Sequence, residues 1–139
     1  KINDGMGKWI AEQIILEMAK RNLVINETKI LILGLTFKEN CPDTRNTKVI
    51  DIIKYLNQYK ADMTIVDPLI DCIEINQKYK LNSFNKIPVK SKFSVIICSV
   101  AHKEFIEFKL SDWESIKSNK GFFFDLKGFL PRELDCIRP

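Results

Sequence analysis

"KILILGLTFKENCPDTRNTKVIDII", Lys29 to Ile53, decides the fold. The apolar run Ile30–Leu33 leads into Gly34, and an apolar pattern of helical spacing begins only after Thr44. A strand that passes through glycine toward a helix is the opening of a βαβ unit. The connection lacks the tight Gly-x-Gly-x-x-Gly turn of a dinucleotide fold. In its place stands a polar loop with Lys38, Glu39, Pro42, Asp43 and Arg45.

On the C-terminal side of this stretch the same alternation continues. The pattern predicts a helix over Thr47–Tyr59 with Val49, Ile53 and Leu56 on one face, and a strand over Asp62–Val66 closed by Asp67-Pro68. A short helix over Ile70–Lys78 and a minor edge strand over Leu81–Phe84 follow. Ser94–Cys98 (SVIIC) is apolar without alternation, as expected of a strand covered on both faces. Helical turns over Lys103–Phe108 and Asp112–Lys117 precede a last strand, Phe122–Leu126. On the N-terminal side, Ile2, Met6, Trp9, Ile10, Ile14 and Met18 recur at helical spacing, predicting a helix from about Ile2 to Arg21 capped by Asn3 or Asp4. With no initiating methionine, the opening reads as a helix continued from an upstream segment. Met6, Trp9 and Ile10 are then expected to be exposed and to favour self-association. The fold class is α/β: a doubly wound, Rossmann-like parallel sheet of order about 3-2-1-4-5, preceded by a long N-terminal helix.

Bulk properties narrow the function. The chain of 139 residues is 45% hydrophobic and 29% charged, an ordinary globular composition with enough residues for one core. No apolar stretch is long enough for a membrane span, and the first residues lack the layout of a signal peptide. A net charge of +4 without a basic run gives no support for nucleic-acid binding, and suits phosphorylated small molecules. Cys41, Cys72, Cys98 and Cys136 are scattered and share the chain with one histidine, so neither a zinc site nor a disulfide framework is expected, and a reducing cytoplasm fits. Cys98 is expected to be buried and Cys41 exposed.

In a doubly wound sheet, ligands bind beyond the carboxyl ends of the strands where strand order reverses. The loop after the first strand, Ser99–Lys103 after the fourth, and Asp125–Gly128 after the fifth share that rim. Lys38, Arg45, Lys103 and Lys127 are therefore expected to ring one crevice for an anion, with phosphate the natural candidate. Spacing alone leaves bland readings open. Arg45 equally suits a pair with Asp43 or Glu39. Phe37 suits the core, Lys38 and Lys127 suit solvent, and Asp67 suits a strand-ending turn. His102, with Glu104 as its nearest acid in sequence, suits a helix-start residue with a structural hydrogen bond, and Phe122–Phe124 suits the core.

Taken together, "GLTFKENCPDTRNTKVIDII", "VDP" (Val66–Pro68), "VAHKEF" (Val100–Phe105) and "DLKG" (Asp125–Gly128) resemble, in order, the C-terminal domain of the UDP-glucose/GDP-mannose dehydrogenase family. "INDGMGKWIAEQI" resembles the end of that family's central dimerisation helix. The loop is most similar to the branch acting on UDP-N-acetylhexosamines for bacterial capsule and surface polysaccharide. The resemblance implies residues 1–22 as the end of the dimerisation helix and 23–139 as the nucleotide-sugar-binding domain. It implies Phe37, Lys38 and Lys127 as substrate-binding and Arg45 as a contact to NAD, with UDP-sugar, the protein's own NAD domain and a second copy as partners. The family's cysteine-containing G-G-x-C-x-P-x-D segment is absent. No catalytic residue is therefore assigned, and the chain by itself is expected to be inactive. Competing readings are a non-catalytic nucleotide-binding or regulatory module, a dimerisation module, and a response regulator, whose acidic cluster Asp67 and Asp71 do not supply.

Overall fold

The computed structural model describes residues 5–45 and 47–139. A helix α1 (Met6–Lys20) and a 3-10 turn (Ile25–Glu27) lead into β1 (Lys29–Leu33), α2 (Val49–Asn57), β2 (Asp62–Val66), α3 (Cys72–Tyr79) and β3 (Ser83–Phe84). Then come β4 (Phe93–Cys98), α4 (Lys103–Ile106), α5 (Leu110–Ser115), β5 (Lys117–Asp125) and β6 (Cys136–Ile137). The strands form one parallel sheet, β3-β2-β1-β4-β5-β6.

The expected order is thus found and extended by one strand. β6 pairs Cys136 with Phe123 and Ile137 with Phe124, too short a run for periodicity to reveal. β5 also begins earlier than expected, because Lys117 already pairs with Phe93 before the register shifts. The expected helix start at Ile2 and its cap at Asn3 or Asp4 lie outside the described residues.

The central strands explain their own lack of alternation. Ile30, Ile32, Val95, Ile97, Phe122 and Phe124 enter the core layer shared with α1, α2 and α3. Leu31, Leu33, Ile96, Cys98 and Phe123 enter the opposite layer, with Phe105 of α4 and Trp113 of α5. Successive side chains point to opposite faces, and here both faces are dry. Each fully buried aliphatic or aromatic side chain adds about 1.5–3 kcal/mol. Trp113 meets Phe123 edge-on at 5.9 Å and Phe108 at 4.9 Å, which fixes the second layer.

α1 corrects one expectation. Met6 and Trp9 are 41% and 47% exposed, but Ile10 is buried. A side chain on Gly7 would sit 2.6 Å from the Asp51 Cβ, so α1 lies close on α2 and turns Ile10 inward.

The strand-order reversal lies between β1 and β4. There Gly34, at φ +101°, passes so near β4's exit that a Cβ would stand 2.6 Å from that of Val100. Its amide donates to the Val66 carbonyl at 2.8 Å, while the Ser99 amide donates to the Leu33 carbonyl at 2.9 Å. The ends of β1, β2 and β4 are thereby drawn together into one rim.

Candidate functional site

A cavity of about 440 Å³ opens beyond this rim. Thr36 and Phe37 reach it from the loop after β1, Ser99 and Val100 from the end of β4, and Lys127 from the turn after β5. Lys48 and Val49 bring the start of α2, and Met6 and Trp9 of α1 form the outer wall. Apolar walls with a few convergent polar groups are the ordinary composition of a small-molecule site. The two ammonium groups and the N-terminus of α2 favour an anion, and the exposed Phe37 and Trp9 rings offer faces to a flat group. Ser99 adds a buried hydroxyl, the one buried side-chain polar atom among the described residues with no hydrogen-bond partner.

The loop after β1 is clamped from beneath. Asp67, directly after β2, is fully buried, and its Oδ2 accepts the Leu35 amide at 2.7 Å and the Thr36 amide at 3.1 Å. Its Oδ1 accepts the Leu69 amide at 2.8 Å, the local turn expected of Asp-Pro. His102, also fully buried, places Nε2 2.9 Å from Asp67 Oδ2 and 2.9 Å from Thr36 Oγ1. Burial pushes the Asp67 carboxyl up, but the hydrogen bonds from His102 and from the Leu35 and Leu69 amides outweigh it, and its pKa lies below the usual value. His102 is the N-cap residue of α4, as expected, but its acid partner is Asp67 rather than Glu104. The two are far apart in sequence, and no local signal joins them.

The turn after β5 has its own carboxylate. Asp125 accepts the amides of Lys127 at 3.3 Å, Gly128 at 2.8 Å and Leu130 at 2.9 Å. Gly128 takes a left-handed φ of +71°, and Lys127 is carried to the cavity edge.

Residues 31–132 match the model of the UDP-glucose/GDP-mannose dehydrogenase family, UDP binding domain. The chain belongs to that family. It is 36% identical over 138 residues to the UDP-N-acetyl-D-glucosamine 6-dehydrogenase of Salmonella typhi, covering 99% of this chain and 32% of that protein. It is 38% identical over 130 residues to Protein CapL of Staphylococcus aureus, covering 94% of this chain and 30% of CapL. The chain therefore spans about a third of the curated relatives it matches. The fold is shared with the NDP-N-acetyl-D-galactosaminuronic acid dehydrogenase of Methanosarcina mazei Go1, at a TM-score of 0.81 and 17% identity, over 100% of this chain and 30% of that one.

Within this family domain the expected ring of four cations does not close. Lys127 lines the cavity with Phe37, whereas Lys38, Arg45 and Lys103 do not. Lys38 and Lys103 are exposed at the rim, and Lys48, visible in the sequence but passed over, takes a place on the wall. The Arg45 side chain is 83% exposed and pairs with Asp43, Nε to Oδ1 at 2.9 Å and Nη2 to Oδ2 at 3.0 Å. The pairing holds the Asp43 carboxyl at about 2. None of the cysteines lines the cavity. Burial pushes the Cys98 thiol well up and Cys136 to about 11, so both stay protonated at neutral pH and are poor nucleophiles. Cys41 is half-buried rather than exposed.

Proposed function

We propose that this chain is the nucleotide-sugar-binding C-terminal domain of an NAD-dependent dehydrogenase that oxidises C6 of a UDP-linked N-acetylhexosamine for surface polysaccharide synthesis in the cytoplasm. The observation that carries the reading is the cavity at the β1/β4 reversal, with Phe37 and Lys127 on its walls. Its volume of about 440 Å³ suits a nucleotide-sized ligand. Phe37 would stack on the base, and Lys127, with Lys38 at the rim, would neutralise the diphosphate. The name of the Salmonella typhi relative, a UDP-N-acetyl-D-glucosamine 6-dehydrogenase, supports the N-acetylhexosamine branch. The Met6, Trp9 and Leu16 side chains exposed on α1 support a homodimer through that helix.

NAD, when bound, supplies the hydride acceptor. This chain fits only a peripheral phosphate contact to it. Arg45 presents an exposed guanidinium, but the turn at Gly34 lies against Val100 and offers no glycine cradle for a pyrophosphate. The domain's own contribution is to hold the remote nucleotide so that the sugar is positioned for a reaction completed by an NAD domain of the same protein. By itself the chain should turn over no UDP-sugar.

Calorimetric titration with UDP tests the reading. Saturable binding is expected, weakened about tenfold or more in Lys127→Ala and in Lys38→Ala, the scale of a lost charge-assisted contact of about 1.5–3 kcal/mol. Arg45→Ala should leave the UDP titration unchanged and weaken NAD only in a protein that includes the NAD domain. No heat with millimolar UDP, or full affinity in Lys127→Ala, would refute the cavity assignment.

A further inference from the structure

We propose that His102 is a positioning residue for the nucleotide: its imidazole sets the conformation of the Thr36–Asn40 loop that presents Phe37 and Lys38. The proposal rests on the nucleotide-site reading above and assigns a role to a group that touches no ligand. The Asn40 backbone amide, which can only donate, lies 2.9 Å from His102 Nδ1. Nδ1 therefore holds a lone pair, and the ring proton sits on Nε2. Nε2–H then donates to the Asp67 carboxylate, with the Thr36 oxygen sharing it, while the Thr36 hydroxyl gives its own proton to the Lys38 carbonyl at 3.2 Å. One neutral tautomer satisfies every partner in this chain of contacts.

The ring is itself fixed. His102 is fully buried, packs against Phe105 with ring centroids 5.8 Å apart, and caps α4 through its carbonyl, which accepts the Phe105 and Ile106 amides. Asn40 closes the clasp from the other side. It sits in the left-handed region at φ +58°, tolerated best by glycine and asparagine, and its Oδ1 accepts the Lys103 amide at 3.0 Å. The loop is thus pinned at Leu35 and Thr36 by Asp67 and at Asn40 by His102. Phe37 and Lys38, between the pins, are exposed, with Phe37 on the cavity wall. A loop fixed at both ends binds without paying to be ordered.

A histidine that merely supports the fold would make binding follow stability. Positioning separates the two, because the two ring nitrogens do different work. His102→Gln keeps a donor near Nε2 for Asp67 and loses the acceptor for Asn40. His102→Asn keeps an acceptor near Nδ1 and loses the donor to Asp67. In the 139-residue chain, the glutamine variant should be the more stable of the two in urea, yet exchange its Asn40 amide at least tenfold faster and bind UDP about tenfold more weakly than the parent. The asparagine variant should be less stable but retain Asn40 protection and most of the UDP affinity. Long-range proton–nitrogen NMR of the parent should show the Nε2–H tautomer. An Nδ1–H tautomer, unchanged Asn40 exchange in His102→Gln, or affinities that follow stability in both variants would overturn the proposal. No UDP binding by the parent would instead overturn the nucleotide-site reading, while Asn40 exchange would still decide whether His102 holds the loop.

Discussion

Asp67 and Asp125 are two buried carboxylates at strand ends on the same rim, and each holds backbone amides of a loop that reaches the cavity. They are built differently. Asp125 binds amides two, three and five residues ahead, with the half-exposed Arg138 guanidinium 3.8 Å away. Asp67 has one such local bond, to Leu69, and takes the others from β1's loop and from His102 before α4. One carboxylate folds its own turn. The other ties three separate segments into a single surface. A buried charge is tolerable only when donors surround it, so the elements that supply those donors become locked to it.

This contrast sets an order of effects. Asp67→Ala strands the Leu35, Thr36 and Leu69 amides and the imidazole N–H, and should cost about 3–5 kcal/mol in urea unfolding. Asp125→Ala should cost less, about 1–3 kcal/mol, and leave the loop before Asn40 intact. Equal losses would mean that reach across the fold adds nothing to a carboxylate's worth.

Acid sharpens the same comparison. The folded Asp67 pKa lies below its unfolded value of about 3.9, so its contribution is fully present above that value and is lost as pH falls through the folded pKa. Stability should therefore fall as the pH drops below about 4, and Asp67→Asn should flatten that acid limb. An acid limb of the same slope in the variant would transfer the effect to other carboxylates. The smallest effect is expected at Ser99. Its hydroxyl has no partner among the described residues, so Ser99→Ala gives up no bond and should lower stability by no more than about 0.5 kcal/mol, as a thermal melt can verify. A larger loss would reveal a bond to the hydroxyl.

Where information was local, the residues announced their structure. SVIIC announced a strand buried on both faces and FFF a core strand, and Phe122, Phe123 and Phe124 are indeed wholly buried. Asp-Pro after β2 announced a turn, and the Leu69 amide makes it. The candidate site was legible only in part. Placing the loops after β1, β4 and β5 on one rim needed no more than strand order, and Phe37 and Lys127 do meet there. Which cations face inward was not legible. Lys48 rather than Arg45 lines the wall because α2 begins at Val49, and the pair with Asp43 holds Arg45 on the exposed loop.

The sequence by itself determined the strands and helices of a parallel sheet and, with the doubly wound strand order, which loops share one rim. The elements follow from hydrophobic periodicity and from breakers that act over a few residues, and the order from the topology that alternating strands and helices impose. Only the tertiary structure decided that Asp67 meets His102, that His102 holds Asn40, and that Ile10 turns inward beside Gly7. Those contacts join residues that are distant along the chain. They exist because buried polar groups and close-packed helices must find partners wherever the fold brings them, and a linear pattern carries no record of that search.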